Sequence, residues 1–493
     1  MLALFLAATI SAANIKSHID FLASDLLEGR ETGSRGFDVA AQYVATQFAS
    51  LGLETSFQPI EFVTGQVDEK RSSITINGKA LVNRKDVIFQ PIFTSADSNV
   101  DAKIVFAGFG AEDDYKDIDT KDKIVLLLSG ARPQLPNDER AYFSSRDVKR
   151  ETAAAHGAIG IITLNTITDE KRRPFAKAAA QSSMKSMRIK GDPGVATIRA
   201  SVAISNGFAA KLFGEARLMQ ILADAEKGIA HPYALDAHAK IHTVSNLGNA
   251  SSRNVVARLK GATDDNVVIS AHLDHLGMTA TGDDRIYNGA LDNASGSAAL
   301  IEIARAFASL PQRPMRSVVF VAVTGEEKGE LGSEYFAKHP TFTPLVANIN
   351  MDMFTMLFPN KDVIALGAEH TTLGPQAIDA AKQAGFEVSP DPQPEEVRFI
   401  RSDQYSFVKQ GIPAITFKAG VKSSDPSIDG EKVTRAWLRE VYHTVHDNPD
   451  QKLDYASGAR WADANFILAL AVANAPEKPA WTKGDFFAQR FAK

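Results

Sequence analysis

Between Asn266 and Met353 the chain places His272, Asp274, Asp292, Glu326, Glu327 and Asp352, and a further imidazole, His443, follows in VYHTVHD. Carboxylates and imidazoles do two kinds of chemistry together. They hold cations, and they take up and release protons. The chain contains no cysteine, so thiol nucleophiles, disulfides and thiolate ligands are all excluded. Any metal here is held by nitrogen and oxygen.

Each position has its own logic. His272 follows VVISA, a run typical of a buried strand, and so stands at a strand tip. Asp274 lies two residues on and points the same way in extended chain. It is placed to receive the second ring N–H of His272 and fix its tautomer. His275 points to the other side of the strand and is the alternate. Asp292, in GALDNASG, precedes a helix. It reads either as an N-cap or, given its flanking glycines, as a carboxylate in a shaped loop that bridges two cations. Glu326 and Glu327 are adjacent acids after VVFVAVTG, so one can bind metal while the other carries protons. Asp352, in NINMDM, is an acid in an apolar strand end and needs a cation or donors. His446 rivals His443 three residues later. Jointly these residues form a dinuclear nitrogen and oxygen site suited to zinc, with manganese or cobalt as substitutes in vitro.

Such a site needs strands that end together. The stretch Asn266–Met353 reads as strand, loop, helix, strand, loop, helix, strand, which predicts an open α/β sheet. Ligands bind such sheets beyond the carboxyl ends of the strands. The expected fold is α/β, with a mixed, largely parallel central sheet and helices on both faces. The 493 residues suffice for several domains, and 44% hydrophobic against 23% charged is the balance of a globular protein with a buried core. A net charge of -5 does not favour nucleic acid as a partner. Nothing in the sequence sets an oligomeric state.

Residues 1–13, MLALFLAATISAA, are apolar, of signal length and too short to span a bilayer. Export to a periplasm or the medium is expected, with no integral membrane segment. Residues 14–84 give two amphipathic helices, the second ending near Gly52, and then an Asn-Gly hairpin in SITINGKALV. Residues 85–245 read as a separate body, with short strands in KIVFAGFG and KIVLLLSG and a helix–strand unit in RETAAAHGAIGIITL. Arg172 to Asp192 reads as a loop. His156, His231, His238 and His242 join no acidic constellation in this body. Residues 246–475 carry the main catalytic run, and 476–493 form a peripheral tail.

The runs HLDHLG, GALDNASG, GEEKGELGS, NMD and YHTVHD resemble the co-catalytic zinc aminopeptidases and carboxypeptidases of the aminopeptidase S, aminopeptidase Y and glutamate carboxypeptidase type. RETGSRGFDVAAQYVATQFASLGL resembles the start of that family. KDKIVLLLSG and KRETAAAHGAIGIITL resemble a protease-associated domain, which implies a β-rich insert. The resemblance implies a zinc exopeptidase fold and two Zn2+ ions, one on His272, Asp292 and Asp352, the other on Asp292, Glu327 and His443. It selects His443 over His446. It makes Glu326 the general base, Asp274 the partner of His272 and Tyr442 a donor to the tetrahedral intermediate. The loop Arg398 to Phe407 is expected to line the cleft, with Arg401, Ser402 and Asp403 as substrate contacts. The implied function is hydrolysis of peptides, with removal of N-terminal residues first. A carboxypeptidase or dipeptidase, a zinc-dependent cyclase or transferase, and a noncatalytic binding protein are the alternatives.

Overall fold

The buried runs NVVISAH and SVVFVAV become the parallel strands Asn266–His272 and Ser317–Val323, paired from Asn266↔Ser317 to His272↔Val323. Both are buried along their whole length, as sheet strands covered on two faces must be. The computed structural model describes residues 10–492 apart from 183, 193 and 195. It forms two units, one built from the chain up to Ile60 together with the chain from Ser251, the other from Glu61–Ala250.

In the first unit, Asn266–His272 is flanked by Ser317–Val323 on one side and Leu345–Asn350 on the other, parallel to both. Beyond Leu345–Asn350 lies Ala414–Ala419, also parallel, and then Asp362–Leu366, antiparallel. Val255–Leu259 pairs antiparallel with the far side of Ser317–Val323. The sheet is therefore mixed and mostly parallel. The chain leaves Asn266–His272 for a neighbour on one side and then returns to a neighbour on the other. That reversal makes a topological switch point at the strand end carrying His272.

One core takes alternate strand residues, including Val267, Ile269, Ala271, Val318, Phe320 and Ala322, against the helices Ala12–Leu22, Ser295–Ala308 and Tyr455–Asn474. Trp461 anchors it, stacked on Phe354 with ring centroids 5.0 Å apart. The intervening Val256, Val268, Val319 and Val321 are equally buried on the opposite face. There the helices Leu331–Lys338 and Gln404–Val408 meet through Phe336 and Phe407. Helices thus cover both faces, as expected.

Several expectations need correction. The sequence pattern starts the insert at 85, but Ile74 and Ile76 lie in the core of the second unit. The strand Ser73–Ile76 also pairs with Ala239–His242, so 61–84 belong there. The second unit is not simply β-rich. A parallel run of Asp97–Phe106, Ile124–Leu128, Gly160–Leu164 and Ala200–Ile204 is joined by helices such as Arg146–Ala155 and Phe175–Gln181. The expected loop 172–192 contains the helix Phe175–Gln181 and the strand Ser186–Ile189. His156, His238 and His242 each meet an acid at 2.9 Å, namely Glu112, Asp101 and Asp97. These acids lie far off in sequence, which hid the pairs.

The C-terminal segment is no loose tail. Phe487 is fully buried against Phe399 and Tyr405, and Asp485 bonds His370 at 2.5 Å. Of the expected leader, residues 1–9 lie outside the described residues; Ile10 is buried, and Ser11 caps the helix Ala12–Leu22. Among the described residues no helix is long and apolar enough to cross a membrane.

Candidate metal centre

Three parallel strands end at one edge and deliver three donors. His272 closes Asn266–His272, Glu327 follows Ser317–Val323, and Asp352 follows Leu345–Asn350. Asp292 comes from the turn before Ser295–Ala308, and His443 from the turn after Gly430–Glu440. His272 Nε2 lies 3.3 Å from Asp292 Oδ1 and 3.5 Å from Asp352 Oδ1. His443 Nε2 lies 3.1 Å from Asp292 Oδ2 and 3.4 Å from Glu327 Oε2. Donors on one tetrahedral zinc with bonds of about 2.0–2.1 Å stand roughly 3.3 Å apart. The imidazole–carboxylate distances match that spacing, and Asp292 turns one oxygen to each imidazole.

The charges of these groups are strongly interdependent. Burial pushes the Asp292 carboxyl up, but the His272 and His443 rings outweigh it and hold it well below the usual range. Burial pulls the His272 ring down, yet Glu326, Asp292 and Asp352 drive it well above its ordinary value. His443 is likewise carried up to about 10 against its burial, by Asp292 and Glu327. Crowded carboxylates of this kind are stable only with positive charge among them. Burial, reinforced by Glu327, Asp352 and Asp403 against His272, pushes the Glu326 carboxyl well up.

Asp274 acts differently from expectation. The His272 ring is held through Nδ1 by the main-chain oxygen of Asp274 at 3.1 Å, not by its carboxylate. That carboxylate accepts from Thr32 Oγ1 at 2.9 Å and from the amides of Glu326 and Glu327 at 3.2 and 3.3 Å. It fixes the turn that carries both glutamates.

His275 is the second correction. It does not point away: its Nδ1 is 2.7 Å from Glu327 Oε1 and 3.9 Å from Asp292 Oδ2. The alternation argument fails because the chain leaves the strand after His272, and the His275 amide donates to Arg30 O. His275, Asp292 and Glu327 can also be grouped as donors. The 2.7 Å separation is that of a hydrogen bond, and with His443 Nε2 at 3.1 and 3.4 Å from Asp292 and Glu327 the fold places two imidazoles beside this carboxylate pair.

The turns are tightly determined. A Cβ on Gly289, which has φ +61°, would sit 2.2 Å from Asp292 O and 2.6 Å from the His275 ring. Asn293 accepts from the amides of Gly296 and Met353 and donates to Met351 O, tying the Asp292 turn to the Asp352 strand end. Asp447 accepts from the amides of Leu291 and Asp292, both at 3.0 Å. Buried Arg30 bonds the carbonyls of Leu273, Asn288 and Gly289, linking the two ligand loops from beneath. Burial lowers its guanidinium to about 10, against the pull of Asp447, Asp274 and Asp292. Lys418 Nζ meets Asp352 Oδ2 at 3.0 Å. Sequence reasoning missed Arg30, Asp447 and Lys418; only Asp447 had a sequence cue, standing four residues after His443.

Tyr442 stacks on His443 with centroids 3.8 Å apart, and burial beside Asp292 and Glu327 drives its phenol far above the usual range. It therefore keeps its proton. Arg401 is turned to Glu396 at 3.1 Å. Ser402 and Asp403, the other expected substrate contacts, are 2% and 0% exposed. Ser402 accepts from Asn350 Nδ2 at 3.0 Å. Burial pushes the Asp403 carboxyl to about 7, opposed by His272 and reinforced by Asp352.

Residues 254–469 match the model of peptidase family M28. A probable zinc metalloprotease of Pyricularia oryzae is 45% identical over 266 residues, covering 45% of this chain and 50% of that protein. Aminopeptidase YwaD of Bacillus subtilis is 27% identical over 239 residues, covering 47% and 46%. The chain thus spans about half the length of the curated relatives it matches. The solved aminopeptidase from Aneurinibacillus sp. strain AM-1 has the same fold, with a TM-score of 0.58 at 21% identity over 96% of each chain. The residues matched by that family model, 254–469, carry every proposed metal donor.

Proposed function

We propose that the chain is a dinuclear zinc exopeptidase that removes N-terminal residues from peptides. One observation carries this. The Asp292 carboxylate offers Oδ1 to His272 and Oδ2 to His443, so a single side chain serves two donor clusters of tetrahedral spacing. The relatives named as a zinc metalloprotease and an aminopeptidase support the metal and the reaction.

One ion would be held by His272, Asp292 and Asp352, the other by Asp292, Glu327 and His443. Bound there, the pair supplies Lewis-acid activation of water and of the scissile carbonyl. Glu326 takes the proton of the attacking water and returns it to the leaving amine. Asp274 keeps Glu326 in place through its amide. Tyr442 donates a hydrogen bond from its phenolic O–H to the developing oxyanion. An aminopeptidase is favoured over a carboxypeptidase because Arg401, whose guanidinium would suit the terminal carboxylate of a carboxypeptidase substrate, is engaged by Glu396.

The unit 61–250 is, in this reading, a protease-associated insert, as KDKIVLLLSG and KRETAAAHGAIGIITL suggest. An exported setting belongs to the same proposal and rests on the apolar opening residues; fractionation of the expressing cells tests it. For the reaction, the zinc-loaded protein is given one peptide with a free N-terminus and the same peptide acetylated, and products are weighed by mass spectrometry. Loss of the first residue from the free peptide alone is expected. Release of C-terminal residues, or no cleavage of either, contradicts the reading.

A further inference from the structure

Two ligand carboxylates carry a second partner on the oxygen turned away from their donor cluster. Glu327 Oε2 faces His443, and its Oε1 meets His275 Nδ1 at 2.7 Å. Asp352 Oδ1 faces His272, and its Oδ2 meets Lys418 Nζ at 3.0 Å. The same ammonium donates to the main-chain oxygen of Asp352. One partner is an imidazole and the other an ammonium. Lys418 lies in the strand Ala414–Ala419 with its side chain 10% exposed, so its charge is largely shielded from solvent and salt.

We infer that Lys418 makes the two metal positions unequal, with the ion at His272, Asp292 and Asp352 held at least tenfold more weakly than the ion at Asp292, Glu327 and His443. This rests on the dinuclear reading above. Asp292 is common to both positions and cancels in the comparison. What differs is Asp352, whose negative charge is already matched by the ammonium on its outer oxygen. A buried positive charge beside a dication repels it strongly, because little solvent intervenes. Lys418 also orients Asp352, which acts in the opposite direction. Orientation is secured independently, since Asn293 bonds Met351 O and the Met353 amide on either side of Asp352. The charge effect therefore dominates. The protein would carry one resident ion and one that exchanges.

The test is a zinc titration of the metal-stripped full chain against a chromophoric chelator, for wild type, Lys418→Met and Lys418→Gln. Methionine matches the length of the stem, and glutamine keeps a donor for Asp352 without the charge. Wild type should take up two ions in two steps, and Asp352→Asn should abolish the weaker step alone. Both Lys418 variants should tighten that weaker step by tenfold or more and leave the tighter one unmoved. Two-ion uptake with the weaker step unmoved or weakened in both variants overturns this inference and leaves the dinuclear reading standing. No zinc uptake by wild type overturns both.

Discussion

His443 Nε2 stands 3.1 Å from Asp292 Oδ2, although 151 positions separate the two residues in the chain. The other oxygen of the same carboxylate faces His272 at 3.3 Å. If Asp292 serves both clusters, then Asp292→Ala should strip both ions, while His443→Ala or Asp352→Ala strips one. Zinc analysis after dialysis gives the count. One ion retained by Asp292→Ala would show that the clusters do not share it.

His275 and His443 both flank Glu327, and only their distances separate ligand from support. His443→Ala should empty its position. His275→Ala should keep both ions but weaken the affected one by about 10–100-fold, the usual cost of losing a residue that orients a ligand. Competition with a chelator measures it. The reverse ranking would make His275 the ligand.

That His272, Asp292, Glu327 and Asp352 come together was legible because acids and an imidazole after buried strands and before a helix show in a linear pattern. The fold class was legible for the same reason, since Asn266–His272 and Ser317–Val323 are unbroken apolar runs ending in polar turns. What stayed hidden depended on partners distant in sequence. Lys418 sits in ITFKAG with no cue that Asp352 O lies beside it. Arg30 lies in a polar loop that reads as exposed, yet it is 0% exposed beneath the ligand loops. His275 was misdirected because period-two alternation holds only while the chain stays extended. The start of the second unit was missed because it falls inside the strand Glu54–Val67, where composition does not change.

The C-terminal segment should matter to stability. Phe487 is fully buried among Phe399, Tyr405 and Phe491. Phe487→Ala should cost about 3 kcal/mol through lost burial and a residual cavity. Calorimetry should show the melting temperature fall by several degrees. An unchanged melting temperature would return the segment to the status of a loose tail.

Glu302 sets an acid limit on the first unit. Burial raises its carboxyl, but His18 at 3.1 Å, Arg305 at 2.8 Å and Asn14 at 2.9 Å outweigh this and bring it to about 2. A carboxyl depressed on folding adds stability above its unfolded value near 4.5 and loses it as pH falls towards 2. The contribution is about 2 kcal/mol after allowance for the partly exposed Arg305. Glu302→Gln should flatten that part of the stability profile between pH 5 and 2, measured by urea unfolding. An unaltered acid slope would remove Glu302 from the account.

The most direct test pairs metal counting with hydrolysis of aminoacyl-p-nitroanilides by wild type and Glu326→Gln, each reconstituted with zinc. The account predicts two ions in both proteins, hydrolysis by wild type and at least a hundredfold loss of kcat in the variant. A wild type that binds no zinc, or a Glu326→Gln protein that cleaves as fast as wild type, would contradict it.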